Sequence, residues 1–433
     1  MLLLRRARVP AALLPSALLV DPVDPLEPAV LCDIRIDGES IAAVTAAADP
    51  SAAVPLSGTK VDLHGAITLP GLVDAHVHLD KAHTWSRAPN RSGTFAEALA
   101  TLGRDRENWT EADLLRRGDF ALRCAWAHGT RIVRTHVDTG LPWGGTSHRA
   151  MDELRRRWRG RIELQTVPLC PGCDYALPGG EKLAELALRH GASALGGFFL
   201  MAADLPAQLD RLMAIAREHG VGLDLHVDEN GSPQAEVLRA VAEAVLRNAF
   251  PLPVACGHGC SLATQAADRQ RSTIALVREA RIGVISLPLC NLYLQDRRGA
   301  AFPRTPYWRG LTLVHDLLDA GVPVACASDN VRDAFYAYGD LDAAEVYSQS
   351  VRLAHLDERL GDSVRVVTST AADLVGRPEF GRVVPGAPAH LVVFGAHAFS
   401  EWLSRPTGER RCVDGETIRT TSPPDYSELA SLP

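Results

Sequence analysis

Apolar and polar positions change rhythm twice along this chain. Up to about residue 70 they alternate in short runs cut by turns. Residues 2–9 predict a first β-strand, Asp33-Ile34-Arg35-Ile36-Asp37-Gly38 a strand running into a turn, and residues 41–44 the returning strand. The same rhythm returns near the end: residues 391–394 form an apolar strand run, and Val413-Asp414-Gly415-Glu416-Thr417-Ile418 is a hairpin signal. Between the two ends, short apolar runs alternate with helical segments. The runs end near Asp80, Asp138, Cys170, Leu200, Glu229, Cys260, Cys290 and Asn330, and the helices include 111–128, 205–219, 234–248 and 263–280. In the first of these helices Leu115, Leu122 and Trp126 share one face. Strand–helix alternation predicts a parallel sheet, and eight units predict a closed α/β barrel of the (β/α)8 type. The expected division is a small β-sandwich lobe from residues 1–70 and 376–433, with the barrel in residues 71–375.

Composition agrees with a large folded chain. Its 433 residues are 46% hydrophobic and 22% charged, which argues against disorder or coiled coil. The 45 basic residues against 52 acidic ones, net −7, give no support for nucleic-acid binding. No apolar stretch is long enough to cross a membrane, and Met1-Leu2-Leu3-Leu4-Arg5-Arg6 has its leucines ahead of its arginines, the reverse of a signal peptide. Nine scattered cysteines suggest reduced thiols in a cytoplasmic protein, not a disulfide framework.

In such barrels catalytic groups sit at the C-terminal ends of the strands. Histidines and acids gather at those ends: His76-Val77-His78-Leu79-Asp80, His136-Val137-Asp138, His226-Val227-Asp228-Glu229, Gly257-His258-Gly259 and Ser328-Asp329-Asn330. Strand geometry points His76 and His78 to the same side, into the barrel. With His226 and Asp329 they make a nitrogen and oxygen donor set for one divalent ion, Zn²⁺ or Fe²⁺. An open position would hold water, whose pKa such an ion lowers from about 15.7 to about 7. No cysteine belongs to this set. Each piece alone has a bland explanation. A single His-x-His is common, and Asp329 alone suits a turn. Four such features at four strand ends are another matter.

These residues resemble the amidohydrolase superfamily and, within it, the bacterial cytosine deaminase group. The likeness rests on Gly71-Leu72-Val73-Asp74-Ala75-His76-Val77-His78-Leu79-Asp80, Arg134-Thr135-His136-Val137-Asp138 and His226-Val227-Asp228-Glu229. It continues through Asn291-Leu292-Tyr293-Leu294-Gln295, Arg309-Gly310-Leu311-Thr312, Ser328-Asp329-Asn330 and Tyr338-Gly339-Asp340. It implies that His76, His78, His226 and Asp329 bind one metal ion. It further implies that His258 orients the attacking hydroxide, that Asp329 takes its proton, and that Glu229 carries a proton to a ring nitrogen. The amino group then leaves as ammonia. No lysine stands in residues 194–200, so a carboxylated lysine bridging two metals is not expected.

The departures concern the substrate. Known cytosine deaminases place a glutamine after the third strand to read the pyrimidine amide. This chain has Pro168-Leu169-Cys170-Pro171-Gly172-Cys173 there, and Gln165 lies within the strand, pointing elsewhere. Asn330 stands where the group has a second aspartate, and Phe335 where it has an aromatic wall. Cys170, Asn330 and Phe335 are therefore the expected substrate contacts. The CxxC at Cys170 and Cys173 reads as a substrate-loop turn, since it lacks a second pair and a redox context. Lys81 reads as an ion-pair residue, at the surface or just behind the ligands. The His-x-Glu and Pro-Cys-x-x-Cys signature of the other zinc deaminases is absent. So are a Gly-x-Ser-x-Gly elbow, a P-loop and a dinucleotide fingerprint.

The expectation is a metal-dependent aminohydrolase of a small nitrogen heterocycle, with cytosine as the first choice of substrate. The alternatives are hydrolysis of an N-alkylamino triazine and deamination of isocytosine, creatinine or a related ring. A non-catalytic scaffold of the same family would be expected to have lost ligands, and this chain keeps them all. The expected partner is the heterocyclic substrate, with neither nucleic acid nor membrane; a homo-oligomer is expected by analogy with the family.

Overall fold

A computed structural model describes residues 1–19, 23–47, 58–140, 143–297, 299 and 303–430. By packing, the chain divides into two compact units. One comprises Met1–Val73, Ala125–Arg131 and Asp342–Pro423; the other comprises Asp74–Cys124, Ile132–Leu341 and Pro424–Pro433.

The first unit carries two four-stranded sheets. Strands β1 (Leu2–Pro10), β2 (Ala29–Asp37), β3 (Ser40–Ala46) and β4 (Thr59–Asp62) form one, in the order β3-β2-β1-β4. Leu4 pairs with Ile34 and Ile34 with Val44, so the apolar positions of three strands fall in one row. The expected first strand is thus present, one residue longer than read from the sequence. Strand β5 (Thr68–Pro70) joins the second sheet, built with three strands from the far end of the chain.

Eight parallel strands make the barrel: β6 (Leu72–Val77), β7 (Thr130–Asp138), β8 (Glu163–Leu169), β9 (Ala194–Phe198), β10 (Gly222–Val227), β11 (Val254–His258), β12 (Gly283–Ser286) and β13 (Val324–Cys326). Strands β6 to β8 form one ladder and β9 to β13 another. Two bridges close the ring. Phe198 N donates to Cys170 O at 3.0 Å between β8 and β9, and Asp329 N donates to His76 O at 2.9 Å between β13 and β6. Every residue of β7 is buried, as expected for a strand covered on both faces. The helix Leu205–His219 has the bounds read from the sequence; Gly220, at φ +66°, ends it in the left-handed conformation.

The last strands, β14 (His390–Phe394), β15 (Arg410–Asp414) and β16 (Thr417–Thr420), pair antiparallel in the order β16-β15-β14-β5. The expected boundaries at 70/71 and 375/376 differ from the observed division chiefly at residues 342–375, which group with the lobe. Arg410 binds the buried Asp342 carboxylate with two nitrogens, at 2.9 and 2.6 Å, and Tyr347 stacks on Trp402 at 5.2 Å. Residues 424–430 group with the barrel unit, where Tyr426 meets Phe120 and Arg123 holds Glu428.

Two strand ends fall four residues short of expectation. Strand β12 stops at Ser286, and Cys290 lies inside the short helix Pro288–Leu294, which Pro288 starts. Strand β13 stops at Cys326, and Ser328-Asp329-Asn330 lies beyond it, with Asp329 in an isolated bridge to Val77. All nine cysteines are free thiols. Among the described residues, no helix is long and apolar enough to cross a membrane.

The β13–β6 seam has a side-chain stitch: the buried Asp74 accepts from Ser328 N at 3.0 Å. Asp74→Ala should therefore lower stability by about 1–3 kcal/mol, because it strands a buried amide. Asp74→Asn keeps an acceptor oxygen and should cost less. Urea denaturation of the two variants checks the order, and equal costs would remove the stitch from the explanation.

Candidate metal centre

Five of the expected residues converge at the C-terminal mouth of the barrel. His76 belongs to β6 and His78 follows its end. His226 belongs to β10, His258 ends β11, and Asp329 follows β13. All five are buried, with at most 7% exposure. His76 Nε2 lies 3.1 Å from His226 Nε2, which lies 3.3 Å from His78 Nε2. Asp329 Oδ1 is 3.2 Å from His78 Nε2 and 3.8 Å from His76 Nε2.

These separations identify what the site can hold. A tetrahedral ion bound at about 2.0–2.1 Å to nitrogen and oxygen spaces its ligands roughly 3.3–3.4 Å apart. The four separations just given, 3.1 to 3.8 Å, bracket that spacing. Among the described residues, none hydrogen-bonds to either Asp329 carboxylate oxygen, to His76 Nδ1, to His226 Nδ1 or to His258 Nε2, though all are buried. Burial, with repulsion from neighbouring imidazoles and Lys81, drives His76, His78 and His226 well below the ordinary imidazole range. They are neutral, as ligands must be. A divalent ion therefore fits, and His76, His78, His226 and Asp329 would hold it.

Backbone conformation aims several of these groups. Asp329 (φ +64°), His258 (φ +69°) and Asp228 (φ +53°) are all left-handed, a strain of about 1–3 kcal/mol each for residues with a Cβ. Asp228 is fixed by accepting from Val237 N at 2.8 Å and Leu238 N at 2.9 Å, which also caps the helix Val237–Arg247. Its rigidity presents the next residue, Glu229, whose Oε2 lies 3.6 Å from His258 Nε2. Burial, aided by the Asp329 carboxylate, raises the Glu229 carboxyl well above its usual range. Asn291 Oδ1 meets His258 Nδ1 at 3.0 Å, and burial lowers the His258 pKa to about 4.

The expected substrate residues are placed as follows. Cys170 is buried at the β8–β9 seam; burial pushes its thiol up to about 12. The Asn330 amide donates to Asp333 Oδ2 at 2.7 Å and accepts from the Cys290 thiol at 3.7 Å, so both its ends engage the protein. Phe335 is buried edge-on to Phe95 at 5.8 Å, and its amide donates to Asp333 Oδ1 at 2.8 Å. Gln165 does point elsewhere: its Oε1 accepts twice from Arg134.

Other residues joined the site without a role read from the sequence. Lys81 is not at the surface but 3% exposed, 2.8 Å from Asp138 Oδ1 and 3.2 Å from His78 Nδ1. Asn291 orients His258, and His136 and Asp224 lie among the imidazoles. The available signal was the period of two. Asp224 faces the same side of β10 as His226, and Arg134, His136 and Asp138 share one side of β7.

The amidohydrolase family matches residues 149–401. A pterin deaminase of Rhizobium rhizogenes (strain K84) is 45% identical over 386 residues, 88% of this chain and 87% of that one. An N-isopropylammelide isopropyl amidohydrolase of Pseudomonas sp. (strain ADP) is 24% identical over 398 residues, 88% of this chain and 91% of its own length. Among solved structures, 5-methylcytosine deaminase from Klebsiella pneumoniae with 5-fluorocytosine superposes with a TM-score of 0.83 at 23% identity, covering 98% of each chain. At that identity the likeness is one of fold.

Elemental analysis of zinc-supplied protein tests the donor set. Wild-type protein should carry one ion per chain, and Asp329→Ala should carry well under one. Glu229→Gln should still carry one; loss of the ion from that variant would move Glu229 into the ligand set.

Proposed function

The chain belongs to the amidohydrolase family, and we propose that it deaminates an aminopyrimidinone ring, with a pterin-class fused bicycle as the substrate. The reading rests on one juxtaposition: Glu229 stands 3.6 Å from His258, beside the converging donors of the ion site. The reaction adds water across the ring carbon that bears the amino group and releases ammonia, leaving a carbonyl.

A divalent ion held by His76, His78, His226 and Asp329, Zn²⁺ or Fe²⁺ by donor type, supplies a nucleophilic water at neutral pH. The chain's own groups handle the protons. His258 directs Nδ1–H to Asn291 and so turns a Nε2 lone pair toward the reacting space, where it accepts from the attacking water. Asp329 is placed to take a proton from that water and return it to the departing amine. Glu229, half-buried and with its carboxyl raised well above the usual range, is placed to donate to the ring nitrogen beside the attacked carbon, so negative charge does not build up on the ring.

Choice of ring is supported by two further observations. The relative with 45% identity over most of both chains carries the name pterin deaminase. The positions that depart from the cytosine deaminase pattern are built into the protein: Cys170 at a barrel seam and Asn330 on Asp333. An aspartate at 330 would face the Asp333 carboxylate across that 2.7 Å contact. Cytosine remains the alternative among monocyclic rings. Both share the amino group on a carbon flanked by ring nitrogen.

An ammonia-release screen of zinc-loaded protein against pterin, cytosine, isocytosine, creatinine and N-isopropylammelide tests the reading. Pterin should be turned over with kcat/KM at least about tenfold above cytosine. Glu229→Gln should slow that turnover by about 10²–10⁴-fold. Ammonia from cytosine with none from pterin would replace the bicycle by the pyrimidine. Isopropylamine release alone would move the enzyme to triazines.

A further inference from the structure

A carboxylate and a fourth imidazole lie one layer below the ion site. Asp224 precedes His226 by two residues on β10, and His136 enters from β7. Both are fully buried. The His136 ring is centred 4.0 Å from that of His76, 4.6 Å from His226 and 5.6 Å from His78, making it the floor beneath the three expected ligands. One donor atom each from His76, His136 and Asp224 lies within 4.8 Å of the others.

The hydrogen bonding here is incomplete in a specific way. Asp224 Oδ2 accepts from Arg134 Nη1 at 3.0 Å, and Arg134 gives Nε and Nη2 to Gln165 Oε1 at 2.9 and 2.7 Å. That anchors the carboxylate and leaves Oδ1 3.7 Å from His136 Nε2. Among the described residues, none hydrogen-bonds to Asp224 Oδ1, to either His136 nitrogen or to His76 Nδ1. Gly257 also meets this ring: a Cβ there would come within 2.9 Å of His76 Cε1 and 3.1 Å of its Nδ1. The His76 ring therefore packs against bare backbone at Gly257 and against the His136 ring.

We propose that Asp224 and His136 are positioning residues that preset His76 for the ion. The proposal rests on the metal-site reading above. An imidazole that offers its Nε2 lone pair to a cation needs its plane held, and the His136 ring, packed 4.0 Å from that of His76, holds it. Asp224, fixed by Arg134, backs the His136 ring from 3.7 Å. Neither residue touches substrate.

The test measures ion affinity, which does not depend on which ring is hydrolysed. Metal-free wild type, Asp224→Asn and His136→Asn are titrated with Zn²⁺ in competition with a chromophoric chelator. Visible spectra of the Co²⁺ forms report ligand geometry, and urea unfolding of the metal-free forms reports the fold. Each variant should lose about 10- to 100-fold in Zn²⁺ affinity with an altered Co²⁺ spectrum, while the metal-free forms unfold near the wild-type midpoint. Wild-type affinity in both variants overturns the proposal. So does a metal-free variant that no longer folds, since the pair would then serve the core. A wild type that takes up no Zn²⁺ would overturn the site reading itself, and this inference with it.

Discussion

Three imidazole nitrogens and a carboxylate oxygen face one dry point with separations of 3.1 to 3.8 Å. Without a cation this arrangement is unfavourable. Lone pairs oppose one another, and a buried polar atom without a partner costs about 1–3 kcal/mol. The barrel tolerates the cost because its strands fix the donors independently of any contact among them. A cation reverses the sign of every one of these interactions. It also links binding to stability, because an ion that binds only the folded chain adds about 4 kcal/mol at a thousand times its Kd.

The way the ring closes makes this placement rigid. Its first and last strands meet where Asp329 N donates to His76 O, so a single backbone hydrogen bond joins two of the four donors. The stitch from Asp74 to Ser328 reinforces the same seam. Left-handed backbone at Asp329 and His258 turns their side chains inward, a conformation that persists only where surrounding bonds over-determine it. Arg117 does similar work for the segment after β6. Fully buried, it donates to the carbonyls of Asp80 and Ala82 and to the Asp113 carboxylate. The loop that carries His78 and Lys81 is thus tied down by a charge with no catalytic task.

The sequence made the barrel legible because both kinds of information there are periodic. Apolar runs and helices alternate eight times, and histidines and acids recur at the same end of five of these units. What it hid were departures from that period and contacts between distant positions. Cys290 sits in an apolar run that continues past β12, so the run alone could not mark Ser286 as the strand's end; Pro288 was the available clue. His136 and Asp224 were in view, but nothing local distinguishes an imidazole under a metal site from one in an ordinary core. Only the convergence of β6, β7 and β10 does that. Lys81 could be read only as an ion-pair residue, at the surface or behind the ligands, because burying an ammonium is costly; the offset that settles it inside comes from Asp138, 57 residues away.

The divergence from the cytosine deaminase pattern is concentrated where the barrel closes and where one loop folds on itself. After β8 the chain does not extend a polar side chain over the mouth. It bridges to β9 through Cys170 and turns into the 3-10 helix Gly172–Ala176, where a Cβ on Gly172 would come within 2.1 Å of the Phe199 ring. A single exchange of Cys170 for glutamine would therefore place an amide in a closed seam, not over a ring. After β13, Asp333 takes the Asn330 amide and the backbone N–H groups of Phe335 and Tyr336, so it shapes the loop that carries all three. Selection among rings in this chain resides in the shape of these two packed segments more than in any one side chain. The donor set, held by a different seam, stays the same whichever ring the mouth admits.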